Sequence, residues 1–159
     1  MANTFTQIYL QFVFAVQDRY SFIEPHWKDE LYKYITGIVK NNKHKLIAIN
    51  GMPNHLHVFI GYKPHQLIPD LLKDIKGSSS AWINEKGLAR GKFVWQAGYG
   101  AFSYSHSHVD TVVKYILRQE EHHKIKTFRE EYIEFLKKYQ IEYNDRYILK
   151  DIEKIIFRP

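Results

Sequence analysis

The chain has 159 residues with 45% hydrophobic content, the size and make-up of a single globular domain over 1–159, which excludes a disordered or collagen-like chain. It has no cysteine, which excludes a disulfide scaffold, a thiolate metal site and a Cys nucleophile. Lys and Arg total 23 against 17 Asp and Glu, a net charge of +6, and 16% of residues are aromatic. Cations that neutralise phosphates and rings that stack on bases together suit single-stranded nucleic acid.

Residues 6–16, TQIYLQFVFAV, are rich in aromatic and β-branched types. Ile8, Leu10, Phe12 and Phe14 share one face, which predicts a strand. Leu31, Ile35, Ile38 and Val39 then recur at helical spacing after Glu24-Pro25, up to about residue 41. Residues 45–50, KLIAIN, predict a second strand, and Gly51, Pro53 and Asn54 break it. Residues 55–61, HLHVFIG, alternate as a third strand.

A clearer helix follows. Ile68, Leu71, Leu72, Ile75, Ser79 and Trp82 form its stripe, with Lys73 and Lys76 off the stripe, and residues 87–91 end it. Residues 92–105 alternate aromatic and small types around glycines, as in a strand with a bulge. Val109, Val112, Val113, Ile116 and Leu117 begin a helix over 109–122, and residues 127–140 form a charged last helix. The tail from 141 to 159 is short and mixed. No tract of about 18 apolar residues could span a membrane. The first residues lack the basic and apolar regions of a signal peptide, so a cytoplasmic protein is expected.

The order β-α-β-β-α-β followed by helices is that of a ferredoxin-like, split βαβ antiparallel sheet of α+β class with added C-terminal helices. Such a sheet carries its helices on one face and leaves the other for a ligand.

Asn54-His55-Leu56-His57-Val58-Phe59 is the sharpest local feature. In a strand His55 and His57 project together while Leu56 and Val58 point into the core. Two imidazoles so placed can hold one divalent metal. A second His-x-His, His106 and His108, sits where a loop meets a helix and reads as exposed. His122 and His123 lie near a helix C-terminus, where the dipole alone favours histidine. On the helix over 109–122, Tyr115 and Gln119 lie off the apolar stripe, one turn apart on a shared flank. His55, His57 and the Gln119 oxygen would make an open three-ligand site able to polarise a phosphate oxygen. A Tyr115 hydroxyl beside it could attack phosphorus and form a phosphotyrosine. A free phenol, with pKa about 10, is a poor nucleophile at neutral pH, and the sequence places no obvious general base.

On these residues the chain resembles the single-tyrosine HUH transposases of the smallest bacterial insertion sequences and their relatives, the REP-associated tyrosine transposases. His55-Leu56-His57 matches the histidine–hydrophobe–histidine motif, and Tyr115 with Gln119 matches the Tyr-x-x-x-Gln motif. The stretch WQAGYGAFSYS, the pair His122-His123, Phe128 and Glu130 add to the likeness, which extends to about Tyr147. Tyr132, Tyr139, Tyr143 and Tyr147 also follow the His motif, but only Tyr115 carries a Gln four residues on.

The resemblance implies a metal-dependent DNA transposase with the HUH core. It would bind hairpins in single-stranded DNA at element ends and cleave them with Mg²⁺ or Mn²⁺. A 5′-phosphotyrosine on Tyr115 would then be resolved by strand rejoining. It also implies a homodimer, in which the tyrosine helix of one subunit can complete the site of the other. Lys73 and Lys76 are the candidate DNA phosphate contacts. Two other readings stand beside it. One is an RRM-like module that binds nucleic acid on its sheet without catalysis. The other is a domesticated nickase or decayed copy of the same family.

Overall fold

Side-chain alternation along the first strand sets the layers. In β1 (Tyr9–Ala15) every residue after Tyr9 is buried. Leu10, Phe12 and Phe14 join one core, while Val13 and Ala15 join another on the opposite face. A strand buried on both faces must be central, and β1 is. The sheet runs β2-β3-β1-β4, with β2 (Lys45–Met52), β3 (His55–Gly61) and β4 (Gly100–Tyr104), and every pairing is antiparallel. The strand β3 lies between the two strands that α1 (Pro25–Asn41) connects, which is the expected split βαβ order. This computed structural model describes residues 3–146 and 148–149, so Tyr147 and the tail beyond residue 149 lie outside the described residues.

One layer is made by α1 and α2 (Ile68–Lys86). Leu31, Ile35 and Val39 from α1 and Leu71, Leu72, Ile75 and Ile83 from α2 pack on Phe12, Phe14, Leu56, Val58 and Ile60. Each such side chain stabilises the fold by about 1.5–3 kcal/mol through removal from water. Both helices carry Pro in their first turn, and Gly87, at φ 62°, ends α2 in the left-handed conformation.

The other face is covered too, which corrects the expectation of a free sheet surface. Three further helices lie there: α3 (Val109–Leu117), α4 (Gln119–His122) and α5 (Phe128–Lys138). Val112 and Ile116 of α3 pack on Ala48 and Phe59, while Phe128, Tyr132 and Leu136 of α5 pack on Val13, Ala15 and Phe102. The physical reason is the apolar content of that face, which water would otherwise meet. An RRM-like module needs this surface bare for bases, so that reading loses its binding site.

Two element boundaries differ from the periodicity. The segment 92–105 is a strand only from Gly100. Before that, Trp95 makes one isolated bridge with Val16, and the chain turns through Gly98 at φ 89°. The helix predicted over 109–122 breaks at Arg118, whose φ of −102° and ψ of 27° separate α3 from α4. Among the described residues no helix is long and apolar enough to cross a membrane.

The β2–β3 hairpin is tighter than a turn at 51–54 suggests, because β2 continues through Gly51 to Met52. A Cβ at position 51 would lie 2.1 Å from the His55 backbone oxygen. Gly51→Ala is therefore expected to destabilise the protein by about 3 kcal/mol through backbone displacement. That should lower the midpoint of thermal unfolding, followed by circular dichroism, by roughly 6–12 °C.

Candidate active site

The hairpin delivers His55 and His57 to the sheet face under α3, α4 and α5. Both are fully buried, not lining an open cleft. His57 is paired across from Val13 in the middle of the sheet. His55 stacks on Phe128, with ring centroids 4.1 Å apart and planes 20° apart.

Their outer nitrogens are held by amide oxygens. His55 Nδ1 lies 2.7 Å from Asn54 Oδ1, and His57 Nδ1 lies 2.6 Å from Gln11 Oε1. An imidazole that donates through Nδ1–H keeps a lone pair on Nε2, the arrangement found behind metal-ligating histidines. Both Nε2 atoms turn to one point. His55 Nε2 is 3.1 Å from Gln119 Oε1 and 3.5 Å from Glu131 Oε1. His57 Nε2 is 3.1 Å from the same Glu131 oxygen. Lone pairs gathered this closely repel unless protons or a cation lie among them. His55, His57 and Glu131 form a buried three-residue group whose ligand atoms all lie within 4.8 Å of one another. Two imidazole nitrogens with carboxylate and amide oxygens suit Mn²⁺, and suit Mg²⁺ less well.

The break at Arg118 matters here. Gln119 opens α4 and is fully buried, with its Nε2 donating to Glu131 Oε2 at 3.3 Å. The flank shared by Tyr115 and Gln119 is thus brought onto the histidines, although not by one continuous helix. The Tyr115 hydroxyl donates to Glu131 Oε2. Burial and the adjacent carboxylate raise the Tyr115 phenol well above its ordinary value.

Glu131 and His123 are the residues that sequence reasoning missed. Glu131 is 4% exposed, on the inner face of α5. Its neighbour Glu130, the glutamate noted in the sequence, is exposed, and its backbone N–H is capped by the Thr127 hydroxyl. Counting phase from Phe128, Tyr132 and Leu136 would have put Glu131 on the inner face. Burial alone would raise the Glu131 carboxyl, but the imidazoles of His57, His123 and His55 hold it far below the usual carboxylate range. His123 does more than sit at a helix end. Its Nε2 lies 3.1 Å from Gln119 Oε1 and 3.5 Å from Glu131 Oε1, while its Nδ1 meets the Lys126 carbonyl at 2.9 Å.

Other candidates lie elsewhere. Tyr132 is buried in the core with Phe102, and Tyr139 packs on Phe102 and Tyr104. His106 and His108 bond to Tyr9 and Ser105 at the surface and do not converge. Lys73 and Lys76 are on α2, across the sheet from the histidines. Lys73 is exposed, whereas Lys76 donates to the carbonyls of Gln96 at 2.7 Å and Gly98 at 2.9 Å.

A buried His-x-His strand with a tyrosine helix folded over it, on a ferredoxin-like sheet, is the arrangement expected from the resemblance to the single-tyrosine HUH transposases. The model of the IS200-like transposases matches residues 4–119, and the chain belongs to that family. Among similar proteins, the ISDra2 transposase TnpA of Deinococcus radiodurans is 26% identical over 118 residues, covering 71% of this chain and 84% of that one. A crystal structure of a proposed transposase from the same species superposes with a TM-score of 0.59 at 22% identity, covering 75% of this chain and 95% of that one. A REP-associated tyrosine transposase bound to a REP hairpin superposes with a TM-score of 0.56 at 16% identity, covering 98% of both chains. At these identities the two structures establish likeness of fold.

Burial lowers the His55 pKa to about 4. The unfolded chain, near 6.5, binds this proton first as pH falls. Stability of the metal-free protein is therefore full above pH 6.5 and is lost progressively down to pH 4, by about 3 kcal/mol from this group. Urea unfolding in EDTA across that range should show the slope, and His55→Asn should flatten it.

Proposed function

We propose that this transposase cleaves and rejoins single-stranded DNA through Tyr115. The observation that carries the reading is that Tyr115, His55, His57, Gln119 and His123 all meet at one buried carboxylate, Glu131. His55, His57, Gln119 and Glu131 would hold Mg²⁺ or Mn²⁺. When bound, the cation supplies positive charge to the phosphate and the leaving O3′, and offsets the Glu131 charge that now holds the Tyr115 phenol up.

Tyr115 Oη forms the new bond to phosphorus, and the bond from phosphorus to O3′ breaks. Glu131 Oε2, already hydrogen-bonded to the hydroxyl, takes the phenolic proton, and the released O3′ takes a proton from water and leaves as a hydroxyl, the same transfers running backwards on rejoining. The product is a 5′-phosphotyrosine. A free 3′-OH from another end attacks it in reverse, and Tyr115 recovers its proton. Each phosphodiester broken is replaced by one formed, so no external energy source is required. Gln11 and Asn54 keep the two histidines in the tautomer that points Nε2 inward.

The substrate proposed is a DNA hairpin at an element end, supported by the hairpin held by the REP-associated relative. A homodimer is proposed from the family resemblance. Within one chain Tyr115 already reaches Glu131, which supports attack in the same subunit. Lys73 is a candidate phosphate contact remote from the chemistry. Lys76, with two donors engaged by backbone, is better suited to holding the loop before β4.

The test is incubation with single-stranded oligonucleotides carrying the flanking DNA of the element and Mn²⁺, followed by denaturing electrophoresis. A covalent protein–DNA band is expected, absent with EDTA and absent for Tyr115→Phe. Glu131→Gln, which keeps the shape but cannot take the proton, should slow adduct formation by about 100-fold or more. A band that persists in Tyr115→Phe would assign the chemistry to another group.

A further inference from the structure

A groove of about 510 Å³ opens beside Tyr115, on the outer side of α3 and α4. Apart from Tyr115, its walls are not used by the buried cluster. Thr111, Lys114, Tyr115, Arg118 and His122 line it at spacings of three and four residues, so they share one side of the broken helix. Ile125 also lines it and is 84% exposed, although apolar.

The charges in the groove are unevenly matched. Lys126 is neutralised by Glu134, with Nζ to carboxylate distances of 2.6 and 2.7 Å. Among the described residues the side chains of Lys114 and Arg118 have no hydrogen-bond or ion-pair partner, and both residues are exposed. Glu121 is the acidic side chain in the lining. Between the two free cations and Ile125 stands His122, whose ring lies 4.2 Å from that of Tyr115 at 46°. An exposed apolar side chain and a half-buried imidazole, beside unpaired cations, serve a ligand with both phosphates and bare bases. Duplex DNA offers phosphates but hides its base faces. A single strand offers both.

We infer that this groove is the track along which single-stranded DNA passes Tyr115, with Lys114 and Arg118 on successive phosphates and a base lodged against His122 and Ile125. The part the track plays in cleavage rests on the strand-transfer reading above. Binding along it does not, because no group in the groove is a metal ligand.

The test uses a fluorescein-labelled 20-mer oligothymidylate, the full chain and EDTA throughout, with anisotropy as the readout. No cleavage step enters, so failure of the Tyr115 chemistry would leave this measurement unchanged. At 0.15 M salt the double variant Lys114→Gln, Arg118→Gln should bind about tenfold more weakly. The slope of log K against log[salt] should become shallower by about 1.4, from about 0.7 for each phosphate no longer neutralised. Lys33→Gln, Lys40→Gln removes the same charge from α1 on the opposite layer and should bind as the parent does. Circular dichroism should be unchanged in both variants, since all four positions are exposed. Three results would overturn the proposal: equal binding by the Lys114, Arg118 variant, an equal weakening in the α1 variant, or no binding of the oligonucleotide by the parent protein.

Discussion

A carboxylate cannot be left alone in the interior of a protein, because the loss of hydration costs far more than any packing gain returns. Glu131 is buried between a β-sheet and a helix, and the surrounding architecture satisfies that constraint. Imidazoles come from β3 and from the end of α4, an amide from the start of α4, and a phenol from α3. Four separate elements are fixed relative to one another by one oxygen pair. The same arrangement is a poor resting place for a lone anion and a good one for a divalent cation. Structural need and chemical use therefore point to the same atoms.

The second layer of helices follows from this. A ferredoxin-like sheet with one covered face would leave His55 and His57 in water, with little to fix the orientation of their rings. Closing α3, α4 and α5 over them removes water, lowers the His55 pKa and raises the Tyr115 phenol. The break at Arg118 turns Gln119 into the cluster while Tyr115 stays at its edge, facing the groove. A continuous helix would hold the two residues on one straight flank. With the break, Tyr115 is left half-buried beside the groove, while Gln119 is fully enclosed.

Much of the site was legible because its spacing survives in one dimension. Residues two apart in a strand share a face, so His55 and His57 declared themselves. Residues four apart on a helix share a flank, and Tyr115 and Gln119 remained neighbours despite the break. Glu131 was not legible in the same way. It lies 16 positions from Tyr115 and 76 from His55, in a helix whose charged residues read as a solvated face. Its phase with Phe128, Tyr132 and Leu136 was present, but a glutamate in an apolar phase looks like an interruption until its partners are known. His123 was masked similarly, by a helix-end position that already accounts for a histidine.

By itself, then, the sequence determined the element order, the split βαβ sheet, the paired histidines and the tyrosine–glutamine pair. All of these depend on local periodicity and on apolar faces that must be buried. Only the tertiary structure decided that the second sheet face is covered, that one helix is two, and that Glu131 and His123 join the buried histidines. Those outcomes depend on which elements meet across the chain. Contacts between distant positions leave no period in the sequence, because they are set by packing and by the need of buried charge for partners.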